Sequence, residues 1–403
     1  MRILLVNAFF PPRTTGSAHF SRDVARQFAA AGHEVTVLTT EVDGAPPDEH
    51  RDGVRIVRLP ARPLNPRRLS FNYTLPFAAR RGVVRRVMEL MRDVQPDVVH
   101  QNGQFFDLTF ITTWAAQRLG IPRVLTIHTP LVHNGAVLRR LIAVVERTLL
   151  RAVNSPGPPT LVGVDRSVCE LAQRRYRPAR PVRFIPATLE VDSFGRGDAR
   201  RVREAHGLGT APVILSLGHV IPTRSRLPLI RALPAILERH PDVKVLVVGG
   251  IYDRRFLRLA DRSGVRHAVI AVGEVPHSVV ADHLAAATVD CHDLDGHTLG
   301  ITTMEAMAAG VPVFAIVRRD VFPGLDFADW PALQVVESAS PAQIAEALCA
   351  LLESPSRRRE VACQQLDLVR SHFGATDIAR RYLELFAEVV GGAGERAATR
   401  VSA

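Results

Sequence analysis

The sequence predicts an α/β protein made of two successive open-sheet domains. Three observations lead there. Short apolar runs of strand character alternate with segments whose apolar residues recur at helical spacing, the pattern of β-α-β units. The alternation pauses at the polar, Arg-rich, Gly-bounded stretch from Gly195 to Gly209, which suits a linker with a short helix, and then restarts. The 403 residues also match two domains of roughly 200 residues each.

The first strand is RILLVNA (2–8), short, apolar and closed by the turn signals Pro11, Pro12 and Gly16. Phe20, Val24 and Phe28 set a helical stripe over Ser17 to Ala31, and Gly32 ends it before the strand EVTVLTT (34–40). The Gly16 loop then lies at the carboxyl end of the first strand, where open α/β sheets bind ligands. Val54 to Leu59 is a further strand. Arg62 to Arg92 is Pro-broken and basic, with Phe71, Tyr73, Leu75 and Phe77 among its arginines, and turns helical near Phe77. It reads either as a solvated helix face over a buried apolar side or as a peripheral contact with an anionic membrane. Asp97-Val98-Val99-His100 and Val124 to His128 are strands ending in histidine, separated by a helix through Trp114 and Leu119. Each histidine is either a ligand contact at the sheet's mouth or a core residue satisfied by the backbone. A helix over Leu138 to Arg151, a strand over Thr160 to Val164, a helix over Ser167 to Tyr176 and a strand over Val182 to Pro186 complete a first domain, 1–193.

The second domain, 194–375, repeats the design with strands over 212–217, 243–248, 267–272, 288–291 and 311–316. Helices are expected over 226–239, 253–263, 278–287 and 341–353. Its focus is GHTLGITTMEAMAAGVP (296–312), a Gly-containing turn that leads through Thr302 and Thr303 into a short apolar helix stopped by Gly310. The first amides of such a helix are unpaired and carry partial positive charge, so its mouth can hold a phosphate. The competing reading is an ordinary loop and buried helix. A last helix, 376–391, has the apolar stripe Ile378, Tyr382, Leu385, Phe386 and Val389, and the tail 392–403 is expected to be disordered.

Composition narrows the function. With 47% hydrophobic and 23% charged residues the chain buries large cores, and no run of about 18 uncharged apolar residues predicts a transmembrane helix. The start MRILLVNAFF runs directly into a strand pattern, which argues against a cleaved signal. Cys169, Cys291, Cys349 and Cys363 lack paired metal spacing, and scattered cysteines predict reduced thiols in a cytoplasmic protein. The net charge of +11 comes almost wholly from arginine, Lys244 being the only lysine. A GC-rich coding sequence produces that bias by itself. No nucleic-acid partner is predicted, because no aromatic-interleaved basic run or binding motif accompanies the charge. Acidic ligands such as nucleotide diphosphates or anionic lipid heads fit.

Five segments carry a family resemblance: PPRTTGSAHFSRDVARQFAAAGHEVTVLTT, VLTIHTP, SLGHVIPTRSRLPLIRALP, VLVVGG and TLGITTMEAMAAGVPV. In this order and at these spacings they resemble the family 4 retaining glycosyltransferases, whose GT-B fold sets two Rossmann-like domains across a cleft and returns a C-terminal helix to the first. The resemblance implies transfer of a sugar from a nucleotide diphosphate sugar, with the donor as co-substrate, no other cofactor and no metal. The acceptor would be a small molecule or lipid held by the first domain, with peripheral membrane contact through 62–92. It implies catalytic roles for His128, Arg224 and His297. Donor contacts fall to Gly16, Gly218, His219, Arg224, Gly300, Ile301, Thr302 and Glu305, with Glu305 accepting hydrogen bonds from ribose hydroxyls.

The departures fall on chemistry. The family's two glutamates, separated by seven residues, become His297 and Glu305, so the donor sugar loses a carboxylate unless Asp293 or Asp295 substitutes. The usual Arg-Lys pair becomes His219 and Arg224, of which only Arg224 is permanently charged. Thr15-Gly16 replaces two glycines, and Thr129 stands where an acidic residue or glycine is frequent. A GT-B epimerase, a pseudo-glycosyltransferase and a non-catalytic nucleotide-sugar binder are the rival readings. Cys291-His292-Asp293 reads as a strand end rather than a metal site.

Overall fold

The computed structural model describes residues 1–13, 15–64, 75–128, 140–141, 143–145, 147–148, 157–194, 197–222, 224–294, 299–318, 320–325, 333–334 and 339–401. The chain divides into two compact units, Met1–Thr188 with Ala375–Ala403, and Leu189–Gly374.

The first unit contains β1 (Arg2–Asn7), α1 (Gly16–Ala30), β2 (Glu34–Thr40), β3 (Asp48–Arg51), β4 (Val54–Leu59), β5 (Arg62–Leu64), β6 (Leu75–Phe77), α2 (Arg81–Val94), β7 (Val98–Asn102), α3 (Asp107–Leu119), β8 (Arg123–Ile127), β9 (Thr160–Gly163), α4 (Arg166–Tyr176) and β10 (Arg183–Phe184). Eight strands form one sheet in the order β10-β9-β8-β7-β1-β2-β4-β3, while β5 and β6 pair as a separate ribbon. All neighbours in the large sheet are parallel except β3 with β4. The alternating side chains of β1 explain why it reads as a continuous apolar run. Ile3 and Leu5 pack with Phe20, Val24 and Phe28 of α1, whereas Leu4 and Val6 pack with Val87 of α2 and Leu108 of α3. A parallel strand covered on both faces has no polar side to show. The chain moves outward from β1 through β2 and β4, then returns to β7 on β1's other side. That reversal makes the carboxyl ends of β1 and β7 the place where an open sheet receives ligands.

The second unit contains α5 (Ala199–Ala205), β11 (Val213–Leu217), α6 (Leu227–Arg239), β12 (Lys244–Val248), α7 (Arg255–Arg262), β13 (Val269–Gly273), α8 (Val280–Ala286), β14 (Val289–Asp290), α9 (Ile301–Ala308), β15 (Ala315–Ile316), β16 (Leu333–Gln334), α10 (Pro341–Glu353) and α11 (Pro355–Phe373). Its main sheet is parallel in the order β13-β12-β11-β14. Here the reversal lies between β11 and β14, and the Gly218 loop and the approach to α9 leave from those two strand ends. The core joins Ile214, Val245, Val247 and Val289 of the sheet to Leu229, Leu233 and Ile236 of α6 and to Ile344 and Leu348 of α10.

The last helix, α12 (Ala375–Val401), belongs to the first unit. Its stripe of Ile378, Tyr382, Leu385, Phe386 and Val389 enters the core beside Phe20 and Phe28, as its spacing predicts.

Four expectations are corrected. The strand over 311–316 reduces to a single bridge from Val313 to Asp290 followed by β15, since Pro312 has no N–H to give a ladder. The tail expected to be disordered from 392 continues as helix to Val401, through alanine, glutamate and arginine, which favour helix. Helix α2 begins at Arg81, because Pro76 lies in the β5–β6 ribbon just before it. The polar-looking α11 has no counterpart among the expected elements, yet it buries Val361, Leu368, Val369 and Phe373 and starts on a Ser354 cap with Pro355 behind it. Of the helix expected over Leu138 to Arg151, 140–141, 143–145 and 147–148 are helical and the rest lies outside the described residues. In α2 the apolar side is buried through Val83, Val87, Met88, Leu90 and Met91, while Arg81, Arg85 and Arg86 are exposed. That is the solvated-face alternative for this part of 62–92. Phe71 and Tyr73 lie outside the described residues.

Candidate active site

At the strand ends of the first unit, His128 follows β8 directly. Its Nε2 lies 3.0 Å from Asn102 Oδ1 at the end of β7, and Phe20 meets the ring edge-on at 4.7 Å. A carbonyl oxygen only accepts, so Nε2–H donates here and the neutral ring keeps Nδ1 as an acceptor. Burial lowers the His128 pKa to about 4, so the ring is neutral near pH 7. His100 is a core residue. It is fully buried, its Nε2 sits 2.9 Å from Thr126 Oγ1, and that hydroxyl is 3.0 Å from Tyr382 Oη. Burial, with the neighbouring His128, lowers its pKa to about 3. Gly16 is the first residue of α1, and Thr15 caps that helix by accepting the Ala18 N–H at 3.2 Å. The first turn is further held by Asn7, whose Nδ2 donates to Ser17 O at 2.9 Å and to Ser21 Oγ at 2.8 Å. One orphan donor of this helix is thus already satisfied by its own chain.

The second unit brings more of the expected residues together. Gly218 follows β11 directly with φ +128°, and a Cβ there would lie 3.1 Å from Thr302 Oγ1 and 3.7 Å from both Arg226 Nη2 and His292 Cδ2. Only glycine fits this conformation and this approach without strain. The next residue, His219, accepts the Gly250 N–H on Nδ1 at 3.0 Å. Burial lowers its pKa against the pull of Glu274, and Arg224 and Arg226 lower it further. His219 therefore offers a neutral Nε2–H at the position where the family usually has a permanent charge. Arg224 is exposed, and its backbone N–H bonds Ile221 O at 3.0 Å.

Gly300 is the N-cap of α9 and has no side chain with which to cap it. The first bond of the helix is Met304 N–H to Gly300 O at 3.1 Å, so the amides of Ile301, Thr302 and Thr303 precede the helical ladder. Asp293 does not cap them. Its Oδ2 accepts the Gly300 N–H at 2.6 Å and the Thr303 hydroxyl at 2.5 Å. Burial pushes the Asp293 carboxyl up, but His292 and Arg224, with the bonds from Thr303 and Gly300, outweigh it and hold the group below its usual range. Glu305 is buried one turn into α9 on the face of Thr302, and its Oε1 lies 3.6 Å from His277 Nε2. Among the described residues nothing accepts the Ile301, Thr302 and Thr303 amides, and this helix mouth lies beside a glycine loop that carries an arginine. Such a mouth suits an anion.

His297 and Asp295 lie outside the described residues. Among the described residues no group of three or more His, Cys, Asp and Glu is arranged to hold a metal ion. His292 instead spends both ring nitrogens on hydrogen bonds, to Asp290 at 3.1 Å and to Thr302 at 2.8 Å. Sequence reasoning missed Arg226, which is fully buried and donates to Gly218 O at 2.8 Å and to Arg224 O at 3.0 Å. In a chain this rich in arginine nothing local distinguishes it. Asn102 was missed as well, although a polar residue ending an apolar strand was the available signal.

The fold is that of the GT-B glycosyltransferases, and comparison with known proteins gives the enzyme class. Residues 15–188 match the Glycosyl transferase 4-like domain, and residues 198–364 match Glycosyl transferases group 1. The chain carries both domains and is a hexosyltransferase-type enzyme that has nucleotide-sugar-dependent homologues. It is 29% identical over 326 residues to a GDP-mannose-dependent alpha-(1-6)-phosphatidylinositol monomannoside mannosyltransferase of Mycolicibacterium smegmatis, covering 78% of this chain and 80% of that protein. It is 27% identical over 415 residues to D-inositol 3-phosphate glycosyltransferase of Acidothermus cellulolyticus, covering 94% and 87%. Among solved structures, Anabaena HepE in complex with UDP aligns with a TM-score of 0.67 at 15% identity, over 96% of this chain and 100% of that one. The last likeness is one of fold.

Proposed function

We propose that this protein is a family 4 retaining glycosyltransferase that binds the diphosphate of a nucleotide sugar at the mouth of α9 and passes the sugar to a lipid or small-molecule acceptor. The observation that carries the reading is the meeting of the uncapped α9 mouth with the Gly218 loop at Thr302, beside Arg224, whose charge acts on Asp293. The amides of Ile301 and Thr302, with Arg224, meet the charge that develops on the departing diphosphate. His219 adds a neutral donor, and Glu305 takes the ribose hydroxyls. His128 orients the donor sugar as a neutral ring fixed by Asn102, which suits a hydrogen-bonding role better than a charged one. Attack on the same face that the diphosphate leaves, helped by a donor phosphate oxygen, retains the configuration and needs no protein nucleophile. Gly16 and His297 complete the proposed donor contacts.

For the acceptor, a phosphatidylinositol-based lipid and an inositol phosphate are what the names of the two relatives support. Peripheral membrane contact through 62–92 draws support from the exposed Arg81, Arg85 and Arg86 and from Phe77, which is 41% exposed. No described helix is long and apolar enough to cross a membrane. The test incubates the enzyme with UDP- and GDP-sugars and with phosphatidylinositol or inositol phosphate, and reads acceptor mass and anomeric configuration. A hexose added with retained configuration supports the reading; inversion sinks the mechanism, and epimerised donor without transfer selects the epimerase rival.

A further inference from the structure

His292 is almost wholly buried, at 2% exposure, yet it sits between a fixed strand end and the first turn of α9. On one side its Nδ1 faces Asp290 Oδ2 at 3.1 Å. Asp290 is anchored in the sheet, because its N–H bonds Pro312 O at 3.0 Å and its carbonyl accepts the Phe314 N–H at 2.9 Å. A carboxylate only accepts, so Nδ1 carries a proton. On the other side Nε2 lies 2.8 Å from Thr302 Oγ1 and 3.1 Å from Thr303 Oγ1. These are the second and third residues of the helix. Thr303 gives its proton to Asp293, which also holds the Gly300 N–H.

The consequence is geometric. Side chains in the first turn of a helix usually point to solvent or fold back as local caps. Here both threonines are drawn inward onto one imidazole, and the carboxylate nearest the mouth is occupied by the N-cap amide and a hydroxyl. The amides of Ile301, Thr302 and Thr303 are left to an external anion. Only Thr302, of the residues His292 bonds in α9, is partly exposed. His292 is too deeply buried to touch a ligand itself.

We propose that His292 is a positioning residue for donor binding: through Thr302 it sets the rotation of the first turn of α9 and thereby the aim of the amides at the donor diphosphate. This rests on the reading of the α9 mouth as the diphosphate site. Two near-isosteric variants separate the links. In His292→Asn the amide nitrogen replaces Nδ1 and keeps the Asp290 bond, whereas in His292→Gln it replaces Nε2 and keeps the Thr302 bond. Calorimetric titration of UDP and GDP into each, with thermal unfolding run alongside, gives the test.

His292→Asn weakens nucleoside diphosphate binding by about tenfold, the equivalent of one lost hydrogen bond, while His292→Gln stays within about threefold of the unaltered protein. Adding Thr302→Val to His292→Asn costs little more, because both act through one contact. Donor KM follows the same order and acceptor KM does not move. Equal affinities for the two variants, or Asn and Val effects that multiply independently, overturn the proposal. Failure of the unaltered protein to bind either UDP or GDP is a different result, which overturns the diphosphate reading and this proposal with it.

Discussion

Replacing Gly218 by alanine strains the donor site at its tightest point. The backbone there has φ +128°, a region that costs an L-residue about 1–3 kcal/mol. The new Cβ would lie 3.1 Å from Thr302 Oγ1. That oxygen cannot retreat freely, since its 2.8 Å contact with His292 would have to open at a cost of about 1 kcal/mol. Gly218 is also tied on both sides of its peptide, by its N–H to Val248 O at 2.8 Å and by its carbonyl to Arg226. The two effects sum to about 2–4 kcal/mol, or about 5–15 °C in the melting of a domain of this size. Differential scanning calorimetry of Gly218→Ala, Thr302→Ala and the double variant reads this directly. The double variant should recover about 1 kcal/mol relative to additivity, because the oxygen facing the new methyl is gone. An alanine variant that melts with the unaltered protein, or a strictly additive cycle, would refute the packing described for this loop.

Three further outcomes follow from the same contacts. His100 has a folded pKa of about 3 against an ordinary value of 6.5, so its contribution is complete above pH 6.5 and is lost as pH falls toward the folded value. At pH 5 the loss is about 2 kcal/mol, and His100→Phe should flatten the fall in urea midpoint between neutral pH and pH 4; an unchanged slope would contradict it. Arg226→Met strips the buried cation from Asp290 and Asp293 and leaves the Gly218 and Arg224 carbonyls unbonded. It should destabilise the second unit by about 3–5 kcal/mol by denaturant unfolding, with Arg226→Lys a poor substitute because one ammonium cannot span both carbonyls. Glu305→Ala should leave melting nearly unchanged and weaken nucleoside diphosphate binding by about 10- to 100-fold in calorimetry, the range for a hydrogen bond to a charged group. Unaltered affinity would remove Glu305 from the ribose.

The architecture was legible because parallel strands and their covering helices have strong periodic signatures. RILLVN and KVLVV could hardly be anything but buried strands, and the stripe Ile378, Tyr382, Phe386 announced a packed helix. What escaped were elements whose burial depends on tertiary context. Helix α11 opens with PSRRRE and buries a narrow stripe that includes Gln365, whose amide bonds both the N–H and the carbonyl of Val313 at 2.8 Å. No local pattern reveals that a glutamine completes another segment's backbone. At the site, Gly300 and Thr302 were readable from turn chemistry and helix entry, and Gly218 from the family resemblance. His292 and Arg226 were not: their partners lie within ten residues along the chain, at Asp290 and Thr302 and at Arg224 and Gly218, and only the folded path of the loops after β14 and β11 turns the side chains onto them. His219, which the sequence left as the uncharged member of its pair with Arg224, is held neutral by burial and by the nearby arginines.

A crystal structure of the enzyme with UDP or GDP tests the central claim most directly. The terminal phosphate oxygens should lie within about 3 Å of the Ile301 and Thr302 amides, with Arg224 turned onto the diphosphate and Glu305 on the ribose hydroxyls. A nucleotide bound in the crystal with its diphosphate away from the α9 mouth would contradict it.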